Sequence, residues 1–376
     1  ALASYLCIAA NSLWVVALSW TLFDVTETIF RVRMSGKSIR GGLAFSTGAF
    51  RVLSTFLITV SFAIELRGLW IETAPVSLSY LPRLLVLIAA GLRSGVIPPH
   101  QNGATVSDSN AKAEIFMRMA GLLIVFPLLI RTDLGSGNEA IPNAMTQLFS
   151  WVVLIAGLVA CGGWILSNRS VVGMNFFLLY NAALPFAVAL RSNSSAALGF
   201  SIVPLFAEAA MIHHNSNYPI IRVMLGLFLF LMSGFPYTPT AGLWSGILDE
   251  GFSLYNTAII FTHSVILIGF AISIIRERAY DPELTDRWTR TGFPFLYGLI
   301  FASAVYAAVF GWGFRGEFGG IHNAGGVFTM MILGGFIYYQ YRMSPNYRDW
   351  NIWARTISAK TTTFLNERIE LKGGGA

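Results

Sequence analysis

Residues Leu84–Gln101 read LLVLIAAGLRSGVIPPHQ, an apolar run that carries a single arginine and ends in two consecutive prolines. A second stretch of similar character, Leu231–Ile247, reads LMSGFPYTPTAGLWSGI. Apolar runs of this kind predict helices in a hydrocarbon environment, and their Pro and Gly residues predict that both helices break. Because a break frees backbone groups, it is tolerated at membrane depth where it lines a polar cavity or the protein interior.

The composition of the whole chain places these stretches in a membrane protein. Hydrophobic residues make up 55% of the 376 residues, charged residues only 12%, and the mean hydropathy is +0.62. A soluble domain carries about 25% charged residues, so lipid is expected to cover much of the surface. The net charge of +6 is explained by basic loops on one side of a membrane, and no nucleic-acid partner is expected.

Apolar stretches long enough to cross about 30 Å of hydrocarbon recur along the sequence. They predict an all-α, polytopic transmembrane bundle of about eleven spans, two of them broken. The predicted spans are 12–31, 42–64, 76–97, 111–130, 145–167, 171–190, 195–212, 219–235, 252–275, 292–312 and 322–341. Residues 1–341 then form the bundle, and residues 342–376 form a basic, amphipathic tail.

The placement of basic residues predicts the orientation of these spans. With eleven crossings, most Arg and Lys residues in the loops, together with the basic tail, fall on one side. The opposite side receives only Arg67, Arg131, Arg191 and Arg315. Because the basic side of a membrane protein faces the cytoplasm, the C-terminus is predicted to lie on the cytoplasmic or matrix side.

Ionisable residues within the predicted spans point to function, because they are costly in lipid. They are Asp24, Glu27, Arg51, Arg83, Arg93, Glu114, Arg118, Glu208 and His263. Each arginine on its own is equally consistent with snorkelling to a headgroup or with a structural ion pair. Their distribution over successive helices favours a polar track through the bundle, in which Asp24 and Glu27 share one helix face.

Other chemistries find no support in the sequence. Haem ligation in a bundle uses histidines on facing helices, and His263 is the only histidine predicted at mid-membrane depth. Nucleotide-binding loops, zinc-protease motifs and serine elbows do not occur. Cys7 and Cys161 lie in apolar runs without a metal-binding pattern. The sequence therefore predicts no active site, cofactor or metal in this chain, although an enzymatic role as part of a larger translocase stays open.

The two broken-helix stretches resemble a known family, the antiporter-like membrane subunits of respiratory NADH:quinone oxidoreductase, membrane-bound hydrogenases and multisubunit cation/proton antiporters. Arg93 falls at the family's helix lysine, and Pro98, Pro99 and His100 fall at its Pro-Phe-His turn. Pro239 to Gly242 match the family's Pro-Thr-Ala-Gly, with about two extra residues after Pro236. Weaker matches place Thr21 at the family's acid and Arg118 at its second lysine, so that the resemblance covers about residues 10–260.

The sequence also departs from the family pattern at the positions that would carry protons. The lysines become Arg93 and Arg118, the lysine after the second break becomes Gly246, and the first few helices of the family lie outside this chain. Arginine keeps its proton, with a pKa above about 12, whereas a desolvated lysine can relay one. The resemblance thus implies an inverted-repeat, antiporter-like scaffold whose relay has been altered.

The resemblance implies a subunit of an energy-converting complex in a bacterial or mitochondrial inner membrane. Redox cofactors would lie in partner subunits, among them peripheral redox subunits, and the bilayer and other membrane subunits would surround this chain. The implied ion-pathway residues are Thr21, Asp24, Glu27, Arg93, Arg118, Glu208 and His263, and the implied broken-helix residues are Pro98, Pro99, His100, Pro236, Pro239 and Gly242. Two alternatives stay open, a stand-alone transporter of an anionic solute and a structural anchor for a peripheral enzyme.

Overall fold

A computed structural model gives the fold of this protein. It describes residues 13–35, 41–66, 80–99, 108–131, 143–167, 170–190, 194–212, 219–235, 253–275 and 320–343, together with a few positions between 238 and 248. These residues form ten helices and no strand: α1 (Leu13–Ser35), α2 (Gly41–Leu66), α3 (Tyr80–Ser94), α4 (Asp108–Arg131), α5 (Asn143–Leu166), α6 (Ser170–Ala189), α7 (Ser194–Ile212), α8 (Pro219–Met232), α9 (Leu254–Ile275) and α10 (Gly320–Met343).

The predicted all-α architecture is confirmed for the part of the chain that the structure describes. The helix bounds differ from the predicted spans by at most four residues. This agreement arises because the apolar runs are long and are separated by polar or glycine-rich connections. The predicted span 292–312 and the tail 342–376 fall almost wholly outside the described residues.

Three of the described helices are long and apolar enough to cross a membrane, over Leu13–Phe30 in α1, Ala144–Ile165 in α5 and Leu254–Ile274 in α9. Five further helices contain shorter apolar segments of 10–17 residues. The structure therefore supports association with a membrane, and the number of eleven spans stays a prediction.

The outer surface of the bundle is suited to lipid. Large apolar side chains are exposed along one stripe of α1 and on the outer faces of α2, α5 and α10, including Leu18, Val52, Ile155 and Met331. On α1 the exposed hydroxyls of Thr26 and Thr28 donate hydrogen bonds to the carbonyl oxygens four residues earlier. A hydroxyl satisfied within its own helix does not need water, which is the arrangement that hydrocarbon demands.

Helix α6 forms the centre of the bundle. Almost all of its described side chains are buried, because its sequence is apolar on every face. It packs against α5, α7, α4, α3 and α9. Phe177 of α6 stacks on Phe270 of α9 at a ring-centroid distance of 5.3 Å and also packs against Trp164 of α5. This packing places α6 against α3, α4 and α7, three of the helices that carry buried charges.

Helix α3 ends inside the apolar stretch at which a break was predicted. Gly95 has a positive φ of 79°, Val96 N–H donates to the Gly91 carbonyl at 2.9 Å, and Gly95 N–H donates to the Leu92 carbonyl at 3.4 Å. These two bonds form a Schellman motif, in which glycine adopts the left-handed conformation that ends a helix. With 15 residues, α3 is about 22 Å long, shorter than the roughly 30 Å of hydrocarbon.

Helix α8 ends in the second predicted stretch. It has 14 residues, or about 21 Å of helix, and is followed by a turn in which Gly234 has a positive φ of 69°. The Thr240 hydroxyl donates to the Leu231 carbonyl at 2.5 Å and accepts from Gly234 N–H at 3.0 Å. One side chain thereby satisfies two backbone groups that the end of α8 leaves unpaired.

Candidate functional site

The candidate site is a cluster of charged side chains that α1, α2 and α3 bring together. Arg93, in the last turn of α3, forms two hydrogen bonds with the carboxylate of Asp24 on α1, at 2.5 Å and 3.1 Å. The Arg93 side chain is 2% exposed and that of Asp24 is 19% exposed. A bidentate arginine–carboxylate pair of this kind combines two charge-assisted hydrogen bonds with a fixed relative orientation.

Aromatic and backbone groups of α1 complete the surroundings of Arg93. Its guanidinium carbon lies 4.5 Å from the ring centroid of Trp20 and 5.8 Å from that of Phe23. A further nitrogen contact reaches the Trp20 carbonyl at 3.4 Å. Because a flat guanidinium can stack on an aromatic face while it pairs with a carboxylate, this environment fits arginine better than lysine.

Arg51 of α2 joins the same cluster from the other side. It forms an ion pair with Glu27 and lies 3.8 Å from Asp24, measured from its nitrogen to the carboxylate oxygen. Thr55, one turn after Arg51, donates a hydrogen bond to Asp24 at 3.3 Å. We call Asp24, Glu27, Arg51 and Arg93 the charged quartet. Its two acids and two arginines are balanced in charge, which lowers the cost of burying them.

Arg118 and Glu208 extend the charged quartet towards α4 and α7. Both side chains are buried, and Arg118 lies close enough to Glu208 and to Arg51 for their charges to interact. Neither carboxylate oxygen of Glu208 has a hydrogen-bond partner within the described part of the chain. Buried charged side chains thus lie on α1, α2, α3, α4 and α7, and the polar track suggested by their distribution in the sequence stays a prediction.

Thr21, which the resemblance places at the family's acid, does not join the charged quartet. Its side chain is exposed, and its hydroxyl donates to the Ala17 carbonyl of its own helix at 2.9 Å. Asp24, nearly one helical turn further along, pairs with Arg93 instead. The structure therefore brings together Asp24, Glu27 and Arg93 from the predicted set, with Arg118 and Glu208 adjoining them and Thr21 outside.

His263 occupies a separate buried position beside the end of α8. Its Nε2 lies 3.0 Å from the Met232 carbonyl, and its Nδ1 lies 2.8 Å from the Tyr180 hydroxyl. Since a carbonyl oxygen can only accept, Nε2 carries the proton, and in a neutral imidazole Nδ1 then accepts from Tyr180. In this arrangement His263 satisfies a carbonyl at the end of α8, which is a structural role.

The turn after α8 is packed between two glycines of α10 and a tryptophan. A Cβ at Gly326 would collide with the backbone of Gly234, and a Cβ at Gly325 would approach the ring of Trp244 to within 2.8 Å. Trp244 also meets His263 edge to face at 5.3 Å. The backbone of α10 can approach the backbone of the turn after α8 this closely only because Gly326 has no side chain. Helix α10 therefore packs tightly against the end of α8.

The remaining broken-helix residues are only partly described. Pro98 is exposed and Pro99 is half-buried, directly after the end of α3. The structural placement of His100, Pro236, Pro239 and Gly242 lies outside the described residues. No group of three or more histidine, cysteine or acidic side chains with metal-binding geometry occurs in the described ranges.

Two residues described here do not follow from the sequence as site residues. The sequence predicts Arg51 as a charge within a span but not as part of the site, and it gives no prediction for Tyr180. A signal for Arg51 exists: Glu27 lies nine residues before the α1–α2 connection at 36–40, and Arg51 lies eleven residues after it. An antiparallel helix pair places such positions at similar depth. No comparable signal links Tyr180 to His263, which are 83 residues apart.

Comparisons with known proteins do not assign this chain to a family. No protein-family model matches the sequence, and a search of curated proteins finds no match.

Proposed function

We propose that this protein is an antiporter-like membrane subunit of a multisubunit, energy-converting complex, in which its charged helices serve coupling or structural roles. The observation that carries the proposal is the pairing of Asp24 on α1 with Arg93 at the end of the broken helix α3. The resemblance implies an acid on one helix and a basic residue on the next broken helix. Asp24 and Arg93 supply both, although the acid lies three residues beyond the aligned Thr21.

The choice of arginine determines what the cluster can do chemically. An arginine holds its charge at all physiological pH values, so Arg93 and Arg51 cannot pass a proton along a chain of groups. They can stabilise carboxylates and transmit electrostatic change between helices. The charged quartet is therefore better suited to coupling the positions of α1, α2 and α3 than to a lysine-type proton relay.

The proposal includes an architecture and a location. The bundle would have about eleven spans with the inverted-repeat, antiporter-like arrangement, and the C-terminus would lie on the cytoplasmic or matrix side of an energy-transducing inner membrane. Other membrane subunits would cover part of its apolar surface. Redox cofactors would be held by partner subunits, among them peripheral ones. The two short, broken helices and the lipid-suited outer surface support this assignment.

Two other functions receive less support. A transporter of an anionic solute, with Arg83, Arg93 and Arg118 as its binding residues, needs arginines that are available to the substrate, whereas Arg93 is already paired with Asp24. A purely structural anchor would act through the basic loops and the tail, most of which lie outside the described residues. No described feature favours either function over a complex subunit.

The proposal is tested on the intact complex reconstituted in lipid vesicles. Electron transfer by the partner subunits and ion movement across the vesicle membrane are measured together for the wild type, Asp24→Asn and Thr26→Val. Thr26 is a matched control, because its exposed hydroxyl bonds only to its own helix. We expect Asp24→Asn to lower ion movement per electron transferred or to release the subunit, and Thr26→Val to change neither. An Asp24→Asn complex with unchanged assembly and unchanged coupling would contradict the proposal.

A further inference from the structure

Glu208 differs in its contacts from Asp24 and Glu27, the two carboxylates of the charged quartet. It is 0% exposed on α7, and neither of its oxygens has a hydrogen-bond partner in the described residues. An ionised carboxylate that is buried in this way has lost its hydration and has no hydrogen bonds to replace it. The neutral acid form avoids that cost, so this position favours a carboxyl group that carries a proton.

Asp24 and Glu27 are held differently. Asp24 forms two hydrogen bonds with Arg93, and Glu27 forms an ion pair with Arg51. Because arginine does not release its proton, each of these acids has a permanent cation in contact with it. Protonating either acid would break an ion pair and leave a buried arginine without its partner. Of the three acids, only Glu208 can gain or lose a proton without breaking a direct pair.

The groups packed around Glu208 determine which charges lie near its ionised form. Helix α7 packs against α4, α6 and α8, and Arg118 of α4 lies close enough to Glu208 for their charges to interact. Helix α6 contributes no acidic or basic residue, and its one titratable side chain is Tyr180. The side chains of five further charged residues on α4 and α8 lie outside what the structure describes: Asp108, Lys112, Glu114, Arg131 and Arg222.

We propose that Glu208 is the proton-binding residue of this bundle and that Arg118 is the counter-charge of its ionised form. Arg118 also interacts with the charge of Arg51, so a proton that enters or leaves Glu208 changes the electrostatic balance of the charged quartet. The inference deepens the proposed function, since it names a proton as the ion and Glu208 as its site. The inference rests on the proposed function only for the path that the proton takes through the complex.

The proposal is tested by labelling the full chain in its native membrane with dicyclohexylcarbodiimide, which reacts with protonated carboxyl groups in apolar surroundings. The modified residue is then identified by mass spectrometry over a range of pH. We expect labelling at Glu208 that falls as the pH rises, and none at Asp24 or Glu27. Labelling at Asp24 in preference to Glu208, or labelling at Glu208 that does not fall as the pH rises, would overturn the proposal.

A second measurement covers the case in which the reagent cannot reach α7. Infrared spectra of the purified protein are compared for the wild type, Glu208→Gln and Asp24→Asn. We expect the carbonyl band of a protonated carboxylic acid to be lost in Glu208→Gln and retained in Asp24→Asn. A band that survives Glu208→Gln would overturn the proposal. Failure of ion movement with the Glu208 band intact would instead count against the proposed function alone.

Discussion

Asp24 and Arg93 are 69 positions apart in the sequence, yet their side chains form a bidentate pair that joins α1 to the end of α3. The pair sits in the last turn of α3, where the guanidinium carbon of Arg93 lies 4.5 Å from the ring centroid of Trp20. Arg93 is thereby fixed by charge, by hydrogen bonds and by an aromatic face at once. Its contacts explain why a charge can be kept at the end of a short apolar helix.

Breaking this pair is expected to destabilise the bundle strongly. Asp24→Asn or Arg93→Gln should each lower the free energy of unfolding by about 3 kcal/mol, because each leaves a buried charge without its partner. The double variant should lose less than the sum of the two single losses. Reversible unfolding in mixed detergent micelles measures all three. Strict additivity of the two single losses would show that the pair does not contribute as described.

Arg93→Lys tests which property of Arg93 matters. Lysine keeps the charge but gives up the planar fork and the stacking on Trp20. We expect the lysine variant to assemble and to lose about 1 to 2 kcal/mol of stability, less than Arg93→Gln. Thermal unfolding and native electrophoresis of both variants provide the measurement. If the glutamine variant assembles and the lysine variant does not, the charge-based account of Arg93 is wrong.

Gly326→Ala tests the close approach of α10 to the turn after α8. The added methyl group would collide with the backbone of Gly234, and forcing such overpacking costs about 2 kcal/mol. Gly334→Ala is a matched control on the same helix, because a Cβ there meets no atom within 4 Å. The control should be neutral or stabilising by up to about 1 kcal/mol, since alanine favours helix. Equal effects at both glycines would contradict the packing described.

Thr240→Val tests how the end of α8 is satisfied. Valine keeps the shape of threonine but removes the hydroxyl that bonds to Leu231 and Gly234. Leaving both buried backbone groups unpaired should cost about 2 kcal/mol, whereas Thr240→Ser should retain most of the stability. Thr257→Val, which removes an exposed hydroxyl, serves as the control. Unfolding curves in which Thr240→Val and Thr257→Val coincide would rule out this capping role.

The helices were predictable because long apolar runs and their polar breaks are local properties of the sequence. The same holds for the ends of α3 and α8, where Gly95 and Gly234 lie beside the prolines that suggested a break. Asp24 and Glu27 could be placed on one face from their spacing alone. These inferences needed only periodicity and the cost of burying charge.

The residues with which these side chains pair could not be predicted from the sequence in the same way. The choice of Asp24 over Thr21 depends on which side of α1 faces α3, and the resemblance alone pointed to Thr21. The contact between Gly326 and Gly234 joins segments far apart in the chain, and nothing in the sequence near either glycine encodes it. Tertiary packing, and not local pattern, selects such pairs.

The measurement that most directly tests the central claim is gentle detergent extraction of the tagged chain from its native membrane. Native electrophoresis and mass spectrometry then identify whatever migrates with it. The account predicts a heteromeric complex that contains other membrane subunits and redox subunits carrying iron–sulfur, flavin, molybdenum or hydrogenase centres. A chain that migrates alone or only with copies of itself would contradict the account and would direct attention to anion transport.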